Sequence, residues 1–172
     1  MSKFIRETSA EVARKIIAKA LIQPCQTILE PSAGTGGIVD IIKQDYPLHD
    51  LDIVCVELNK EKCEILNDKG YATRNGDFLN FVPLMDYDRI IACPPFKANI
   101  DLEHIMRMYL YLKKGGLLVS LTSPLWILNN EQHQVKFREW LADKKHDMEL
   151  LPDNSFMEGG KTVPSMILRI FK

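Results

Sequence analysis

A glycine-rich segment, Glu30–Gly37 with the sequence EPSAGTGG, is the first part of this chain that could do chemistry. Its glycines allow the backbone to approach a ligand closely, and the N–H groups of a helix that begins there would face an anionic group. The spacing departs from the G-x-G-x-x-G fingerprint of dinucleotide sites, because Val39 stands where the third glycine would be. The segment therefore predicts a nucleotide-type loop without a pyrophosphate, and a tight turn without a ligand is the alternative.

Two acidic side chains follow later apolar runs. Glu57 closes the run 53–56, where a carboxylate can accept hydrogen bonds from the hydroxyls of a ribose. Asp77 stands beside Phe78, and a carboxylate next to an aromatic face suits the amine and the plane of an adenine. Taken singly, Glu57 is a solvated strand-end acid, and Asp77 with Phe78 is a turn followed by a core aromatic. Together with the glycine-rich segment, they indicate a nucleoside ligand.

The segment Cys93–Phe96, with the sequence CPPF, follows another apolar run. Two consecutive prolines stiffen the backbone and remove two N–H donors, which leaves carbonyl oxygens exposed at the end of a predicted strand. Rigid acceptors beside an aromatic ring suit a planar amino group.

Helical spacing of apolar residues predicts five helices that would position these motifs. In the first, Thr8 and Glu11 form a capping-box pattern, and apolar residues then recur until Pro24. A run of two lysines and two glycines, 113–116, is typical of a helix end and is expected to terminate the fourth helix. The other predicted helices span residues 37–44, 60–68, 101–112 and 131–141.

Seven short apolar runs predict seven strands. Because these runs alternate with helices, they favour a mostly parallel sheet covered on both faces, which is an α/β, Rossmann-like, three-layer sandwich. In such a sheet ligands bind at the carboxyl ends of the strands, near the point where strand order reverses. The predicted strands span residues 27–29, 53–56, 71–74, 89–92, 117–121, 148–151 and 165–171.

The composition fits one ordinary globular domain. The chain has 172 residues, of which 46% are hydrophobic and 26% are charged. This length is in the range of roughly 100 to 200 residues that a single domain occupies. We therefore expect no second catalytic domain.

Charge and cysteine content exclude several classes of protein. Lys and Arg number 22 against 23 Asp and Glu, so a nucleic-acid partner would need a local basic patch. Cys25, Cys55, Cys63 and Cys93 lack C-x-x-C spacing, which predicts no metal site, no disulfide framework and a reduced setting. Residues 1–23 resemble neither a secretory signal nor a membrane span, so we expect a cytoplasmic protein without membrane contact.

The ordered motifs resemble the class I S-adenosylmethionine-dependent methyltransferases, and most of all the amino-methylating branch with an N-P-P-[YF] signature. Segment 29–36, LEPSAGTG, is similar to that branch's first motif, and Cys93–Phe96 is similar to its catalytic motif. Segment 7–11, ETSAE, is similar to the short segment that closes over the methionine end of the cofactor. Because it precedes the glycine-rich segment, the order resembles the gamma class of N6-adenine DNA methyltransferases. The likeness covers nearly the whole chain.

The resemblance implies S-adenosylmethionine as cofactor and assigns a role to each motif. Ser32, Gly34 and Gly36 would contact the methionine moiety, Glu57 the ribose, and Asp77 with Phe78 the adenine. The implied catalytic residues are Cys93, Pro94, Pro95 and Phe96. The implied cofactor-binding residues are Thr8, Glu30, Pro31, Ser32, Ala33, Gly34, Gly36, Glu57, Leu58, Asp77 and Phe78.

Cys93 departs from the family pattern, which has Asn, Asp or Ser at this position. In the family that side chain accepts a hydrogen bond from the target amine, whereas a thiol is a weak acceptor. Three interpretations stay open: the Pro94 carbonyl does most of the orienting, the substrate differs, or activity has been lost.

Four residues downstream of the glycine-rich segment are considered for contact with the acceptor. Phe156 lies between the last two predicted strands and could stack on a flipped base, with core packing as the alternative. Lys161, in the same segment, is a candidate for phosphate contact together with Lys97. His104, on the helix after the Pro-Pro motif, is interpreted as a structural or solvated histidine.

We therefore expect one methyltransferase domain over residues 1–172, with an N-terminal helical segment, 1–24, and a Rossmann-like core, 25–172. The chain ends directly after the seventh predicted strand, so no target-recognition domain is expected. The expected reaction transfers a methyl group to a nitrogen, with adenine N6 in DNA or RNA as the leading acceptor. A partner subunit or a homodimer could supply sequence specificity.

Other functions are kept as alternatives. The acceptor could be a protein glutamine or a small molecule, because these also present suitable nitrogens. Cys93 suggests a module that binds S-adenosylmethionine without chemistry. A nicotinamide oxidoreductase is disfavoured by Val39 and by the Pro-Pro motif.

Overall fold

Nine strands appear in the computed structural model, which describes residues 8–153, 155–158 and 161–172. Seven of them form one sheet, and two short ones form a separate hairpin. The sheet strands are β1 Thr27–Glu30, β2 Asp52–Glu57, β3 Ala72–Asn75, β4 Tyr87–Ala92, β5 Leu112–Thr122, β6 His146–Leu150 and β9 Met166–Phe171. The hairpin strands are β7 Met157–Glu158 and β8 Lys161–Thr162.

The sheet has the order β3-β2-β1-β4-β5-β9-β6, which confirms the predicted seven-stranded, mostly parallel architecture. Strands β1 to β5 pair in parallel, and β9 runs antiparallel to both β5 and β6. Strand order reverses between β1 and β4, so the carboxyl ends of these two neighbours flank the crevice where ligands bind in open α/β sheets.

Within the described residues, five α-helices cover the two faces of the sheet and pack with it into two separate hydrophobic clusters. Neighbouring residues of one strand point to opposite faces, as Ile28 and Leu29 do, and so belong to different clusters. The first cluster packs under α1 and α2, and the second packs under α4 and α5. The helices are α1 Ala10–Lys19, α2 Gly37–Asp45, α3 Lys60–Asp68, α4 Ile100–Leu110 and α5 Gln132–Leu141.

The first helix begins and ends differently from the prediction. Its N-cap is Ser9, whose hydroxyl accepts a hydrogen bond from the Val12 N–H at 3.3 Å, so the predicted cap at Thr8 is wrong by one residue. The helix ends at Lys19 and does not reach Pro24, because Leu21 takes a left-handed backbone conformation with φ of +50°. The predicted closing segment begins with Glu7, which lies outside the described residues.

The lysine and glycine run 113–116 does not end a helix, which corrects the prediction. Helix α4 already ends at Leu110, and the run lies inside β5. Gly115 has φ of +80° there, and its N–H donates to the Lys172 carbonyl oxygen at 2.7 Å. Lysine and glycine are common both at a helix C-terminus and at an irregular strand start. The hydrogen bond between Gly115 and Lys172 stabilises the strand conformation here.

Candidate functional site

A cavity of about 360 Å³ lies at the carboxyl ends of the central strands and collects most of the predicted site residues. Its walls come from the loop after β1, the end of β2, the turn after β3, the segment after β4 and one face of α4. Thirteen of the predicted residues line it. They are Thr8, Glu30, Pro31, Ser32, Ala33, Gly34, Glu57, Leu58, Asp77, Phe78, Cys93, Pro95 and Phe156.

Four predicted residues are not among the described residues that line this cavity: Gly36, Pro94, Phe96 and Lys161. Gly36 has a packing role instead. Its φ is +95°, and a Cβ atom there would come within 2.9 Å of the Leu66 side chain on α3. Lys161 is exposed on the β7–β8 hairpin. The glycine at position 36 is therefore explained by helix packing, and its predicted contact with the methionine moiety stays a prediction.

The loop after β1, Glu30–Gly37 (the glycine loop), is fastened to the end of β2. The Gly34 N–H donates to Glu57 Oε2 at 2.8 Å, and the Asn59 N–H donates to Oε1 of the same carboxylate at 2.8 Å. The Ala33 N–H donates to the Val56 carbonyl oxygen at 3.0 Å. These bonds fix the carboxylate of Glu57 at the cavity wall, where its remaining lone pairs can accept from a pair of hydroxyls.

Glu30, the last residue of β1, is a buried carboxyl group at the base of the cavity. It is 2% exposed, and its Oε2 has no hydrogen-bond partner within the described residues. Burial, followed by the charges of Glu57 and Asp40, holds its pKa well above the usual range. A buried polar atom without a partner costs stability, so a cationic or hydrogen-donating ligand group would be favoured next to it.

Asp77 and Phe78 occupy the turn after β3, and the structure gives them different surroundings. The Asp77 side chain is exposed, and Oδ1 accepts from the Leu79 N–H at 2.9 Å, which caps the 3-10 turn Phe78–Asn80. Phe78 is buried in the core, and its ring lies 5.1 Å from the His104 ring. Both residues line the cavity, so a carboxylate and an aromatic wall do lie next to each other.

The segment after β4, Cys93–Phe96 (the Pro-Pro tip), reaches the cavity through Cys93 and Pro95. Both of these side chains are half-buried, whereas Pro94 and Phe96 are buried. Phe96 packs against Phe156 with ring centroids 5.0 Å apart, and both rings belong to the core cluster. Core packing of Phe156, the alternative interpretation, is therefore present, and its stacking on a base stays a prediction.

Behind the Pro-Pro tip, two residues hold the chain in an unusual conformation. Ala98 and Asn99 both have left-handed backbones, with φ of +55° and +58°. Hydrogen bonds to α5 hold Asn99 there: its amide donates to Glu131 Oε2 at 3.1 Å, and its Oδ1 accepts from Gln134 at 3.0 Å. Non-glycine residues keep a left-handed backbone only where surrounding contacts stabilise it. The contacts with α5 therefore stabilise the conformation of the segment that follows the Pro-Pro tip.

Sequence reasoning missed several lining residues: Thr35, Gly37, Ile38, Lys62, Gly76, Leu79, Ile100 and His104. Ile100 and His104 had a usable signal. They are four residues apart on α4, so they lie on one face, one turn from each other. That face follows the Pro-Pro tip directly, which places it over the cavity. His104 was interpreted as structural or solvated, and it is buried at the cavity wall.

None of the helices within the described residues has the length and apolar character needed to cross a membrane. In the same ranges, no group of three or more His, Cys, Asp or Glu side chains is arranged to hold a metal ion.

Known protein families and curated proteins gave no match to this sequence. Solved structures gave strong matches. A type I restriction-modification methyltransferase subunit from Streptococcus thermophilus has a TM-score of 0.81 at 17% identity, covering 98% of this chain and 45% of that one. A putative class I S-adenosylmethionine-dependent methyltransferase from Listeria monocytogenes has a TM-score of 0.76 at 16% identity, covering 100% and 62%.

A putative RNA methyltransferase from Pyrococcus horikoshii is also similar, with a TM-score of 0.69 at 16% identity, covering 97% of this chain and 86% of that one. At these identities the likeness concerns the fold. The chain has the Rossmann-like fold of class I methyltransferases, and it spans less than two thirds of the length of the Streptococcus and Listeria proteins.

Proposed function

We propose that this protein is an S-adenosylmethionine-dependent methyltransferase that transfers a methyl group to a nitrogen, with adenine N6 in DNA or RNA as the leading acceptor. One observation is the main support: the glycine loop, Glu57, Asp77 and the Pro-Pro tip all line a single cavity. The similarity in fold to class I methyltransferases supports the same conclusion. Protein glutamine and small molecules are the alternative acceptors.

The described residues fit this cofactor. Glu30 presents an unpartnered buried carboxyl oxygen, and an ammonium group such as that of a methionine moiety would satisfy it. Glu57 presents a fixed carboxylate for the ribose hydroxyls, and Asp77 presents an exposed one for the exocyclic amine of adenine.

S-adenosylmethionine, when bound, supplies a methyl group on a positively charged sulfur. The task of the protein is then to position the acceptor nitrogen about 3 to 3.5 Å from that methyl group and in line with it. Prolines 94 and 95 have no N–H, so the tip offers backbone carbonyl oxygens that can accept from a planar amine. Cys93, half-buried on the cavity wall, adds a weaker acceptor. This arrangement orients the amine and needs no strong base.

Two similar structures and two exposed lysines support a polynucleotide as the acceptor. Two of the similar structures are described as a restriction-modification methyltransferase subunit and a putative RNA methyltransferase. Lys97 and Lys161 are exposed, so both are available for phosphate contact. The formal net charge is only -1, so such a contact would have to be local. A partner subunit or a second copy of the chain could add further contacts, and a cytoplasmic setting stays a prediction.

Isotope transfer tests the proposal directly. The protein would be incubated with S-adenosylmethionine labelled in the methyl group and with separate pools of DNA, RNA, protein and metabolites. We expect label in a polynucleotide pool, with the product identified as N6-methyladenine by mass spectrometry. Label only in the protein or metabolite pool would show that the acceptor is a protein or a small molecule and not a polynucleotide. Label in none of the pools would contradict an active methyltransferase.

A second candidate function is a module that binds S-adenosylmethionine without transferring its methyl group. The observation that favours it is Cys93, because the thiol lines the cavity at the position where the resemblance implies an Asn, Asp or Ser oxygen. In that case the cavity would still bind the cofactor, and only transfer would fail.

A further inference from the structure

Three side chains that are not among the described cavity-lining residues hold the glycine loop from behind. Lys69, the C-cap of α3, donates from Nζ to the Thr35 carbonyl oxygen at 2.8 Å and to Asp40 Oδ2 at 2.6 Å. The Tyr71 hydroxyl donates to Asp40 Oδ1 at 2.5 Å. Both carboxylate oxygens of Asp40 are therefore bound by residues of the connection between α3 and β3.

The contact between Lys69 and Thr35 gives the glycine loop a second point of attachment. The end of β2 already holds the loop through the N–H groups of Ala33 and Gly34. Thr35 lines the cavity, and Lys69 binds its carbonyl oxygen from the α3–β3 connection. A loop that is held from two elements is preorganised, so it loses less conformational freedom when a ligand binds.

Asp40 also acts on Glu30, the buried carboxyl group at the base of the cavity. Side chains alternate along β1, so Glu30 points to the same face as Ile28, toward the cluster that packs under α1 and α2. Asp40 lies in the first turn of α2. Its charge contributes to the raised pKa of Glu30, after burial and the charge of Glu57. Lys69 is bound to Asp40, and its positive charge opposes this contribution.

Within the described residues, Glu57 and Asp40 are the two carboxylates whose charge raises the pKa of Glu30. Cys55 on β2 is buried beside them, and burial raises the pKa of its thiol, which therefore stays neutral. Asp40 can be changed without removing a cavity-lining side chain. The other titratable groups around the cavity are Lys62, Asp77, Cys93 and His104, and the charged groups of α1 form the ion pairs Glu11–Lys15, Arg14–Asp45 and Lys19–Glu149.

We infer that Lys69 and Asp40 are positioning residues of the cofactor site, which act on it from outside the cavity in two ways. Lys69 fixes the backbone of the glycine loop at Thr35. Its ion pair with Asp40 also limits the negative charge that Glu30 experiences, so that Glu30 can release its proton to solvent and accept from an ammonium group. This inference rests on the proposed function and adds two residues that lie outside the sequence motifs.

Two variants of this ion pair test the inference, because they should shift the pH dependence of ligand affinity in opposite directions. The measurement is calorimetric titration with S-adenosylhomocysteine, which carries an ammonium group, between about pH 5 and pH 8. In the wild type, affinity should rise with pH as Glu30 loses its proton. Asp40→Asn removes a negative charge, so the rise should move to lower pH. Lys69→Met removes a positive charge, so the rise should move to higher pH, and affinity near neutral pH should fall about threefold to tenfold.

Three further variants separate charge from hydrogen bonding and packing. Lys69→Arg keeps the charge and the donors, so it should retain the wild-type pH profile. Lys69→Gln keeps a donor for the Thr35 carbonyl without the charge, so it should recover part of the lost affinity while the profile stays shifted, and it replaces Lys69→Met if that variant does not fold. Lys114→Met is the matched control, because it removes the same charge from an exposed position near the amino end of β5, opposite the cavity. Its profile should equal that of the wild type.

A shift in the same direction for Asp40→Asn and the uncharged Lys69 variants, or no shift in either, would show that the ion pair only stabilises the fold and would overturn the inference. Wild-type affinity that does not change with pH would overturn it as well, because ionisation of Glu30 would then not limit binding. Failure of the wild type to bind S-adenosylhomocysteine at any of these pH values would contradict the proposed function itself, which separates the two failures.

Discussion

Glu30 is an acidic residue whose ionised form would destabilise the unliganded fold. Its carboxyl group is buried, lacks a partner for Oε2 among the described residues and is influenced by the charges of Glu57 and Asp40. The proposed function would account for this conflict. A site built to bind a cation or a donor group retains unsatisfied acceptors that a purely structural core would exclude.

Glu30→Gln is expected to stabilise the unliganded protein and to weaken ligand binding. The raised pKa means that the folded state keeps the Glu30 proton to higher pH than the unfolded state, so wild-type stability falls as pH rises above about 4.5. Glutamine does not ionise, so the stability of the variant lacks this dependence on pH. Urea unfolding should show a gain of roughly 1–2 kcal/mol near neutral pH that grows with pH.

Calorimetry on the same variant completes this prediction. Affinity for S-adenosylhomocysteine should drop by about tenfold or more, because a charge-assisted hydrogen bond is lost. A Glu30→Gln protein that is less stable at neutral pH and binds as tightly as the wild type would contradict the role given to Glu30.

Cys93→Asn is expected to raise the rate of methyl transfer. An amide oxygen is a better acceptor than a thiol, and one added hydrogen bond to the target amine corresponds to about fivefold to tenfold in kcat/KM. Cys93→Ala is the matched control and should not gain activity. Transfer that appears only in the Asn variant would show that the natural protein is a binding module, and a loss of activity in the Asn variant would show that the thiol itself is required.

At the scale of elements, the glycine loop has two glycines with different physical reasons to be glycine. Gly34 has a left-handed backbone with φ of +59° and open space at its Cβ position, whereas Gly36, with φ of +95°, also lets the Leu66 side chain of α3 approach closely. A sequence motif does not separate these two reasons, because both favour the same residue type.

Gly36→Ala is expected to cost about 2–3 kcal/mol of stability, since φ of +95° is unfavourable for alanine and the new Cβ would meet Leu66 at 2.9 Å. Gly37→Ala is the matched control, because Gly37 begins α2 and has open space at its Cβ position. That variant should change stability by about 1 kcal/mol or less. The check is chemical unfolding of both variants without ligand, and equal stability of the two would contradict the packing role.

The sequence predicted the elements whose patterns are strong and local. The continuous apolar runs that became β1, β2 and β4 were placed within two residues, because burial on both faces leaves little ambiguity. The run 113–116 was misplaced because its residue types suit two local structures and a contact with Lys172 decides between them. The β7–β8 hairpin was not predicted, since strands of two residues have no periodicity to detect.

Most of the predicted lining residues follow strands, and the two lining residues on α4 were missed. Glu57, Asp77 and Cys93 were found because parallel strands bring their carboxyl ends to one edge. His104 could not be assigned from its own position, because a histidine on an apolar helix face is equally suited to packing. The structure adds that His104 lines the cavity.

At the scale of the whole molecule, charge is balanced overall and uneven locally. The formal net charge is -1, yet the cavity collects Glu30, Glu57 and Asp77. These acids would repel a phosphate backbone, so the basic contacts of a polynucleotide have to lie outside the cavity. Lys97 and Lys161 are exposed and meet that requirement.

Affinity for a polynucleotide should therefore fall as salt rises, with a modest slope. Each phosphate contact adds about 0.7 to 0.9 to the slope of log K against log salt. Replacing Lys97 or Lys161 by Ala should reduce the slope by about one contact. Fluorescence anisotropy with a labelled oligonucleotide at several salt concentrations would measure this slope. A slope near zero would show that neither lysine contacts a phosphate group.

The central claim is that one cavity binds an S-adenosyl nucleoside, and calorimetric titration with S-adenosylhomocysteine tests it most directly. We expect one equivalent to bind per chain, affinity to fall about tenfold or more in Glu57→Gln, and NAD to give no heat beyond dilution. Binding of NAD in place of S-adenosylhomocysteine, or unchanged affinity in a folded Glu57→Gln protein, would contradict the claim.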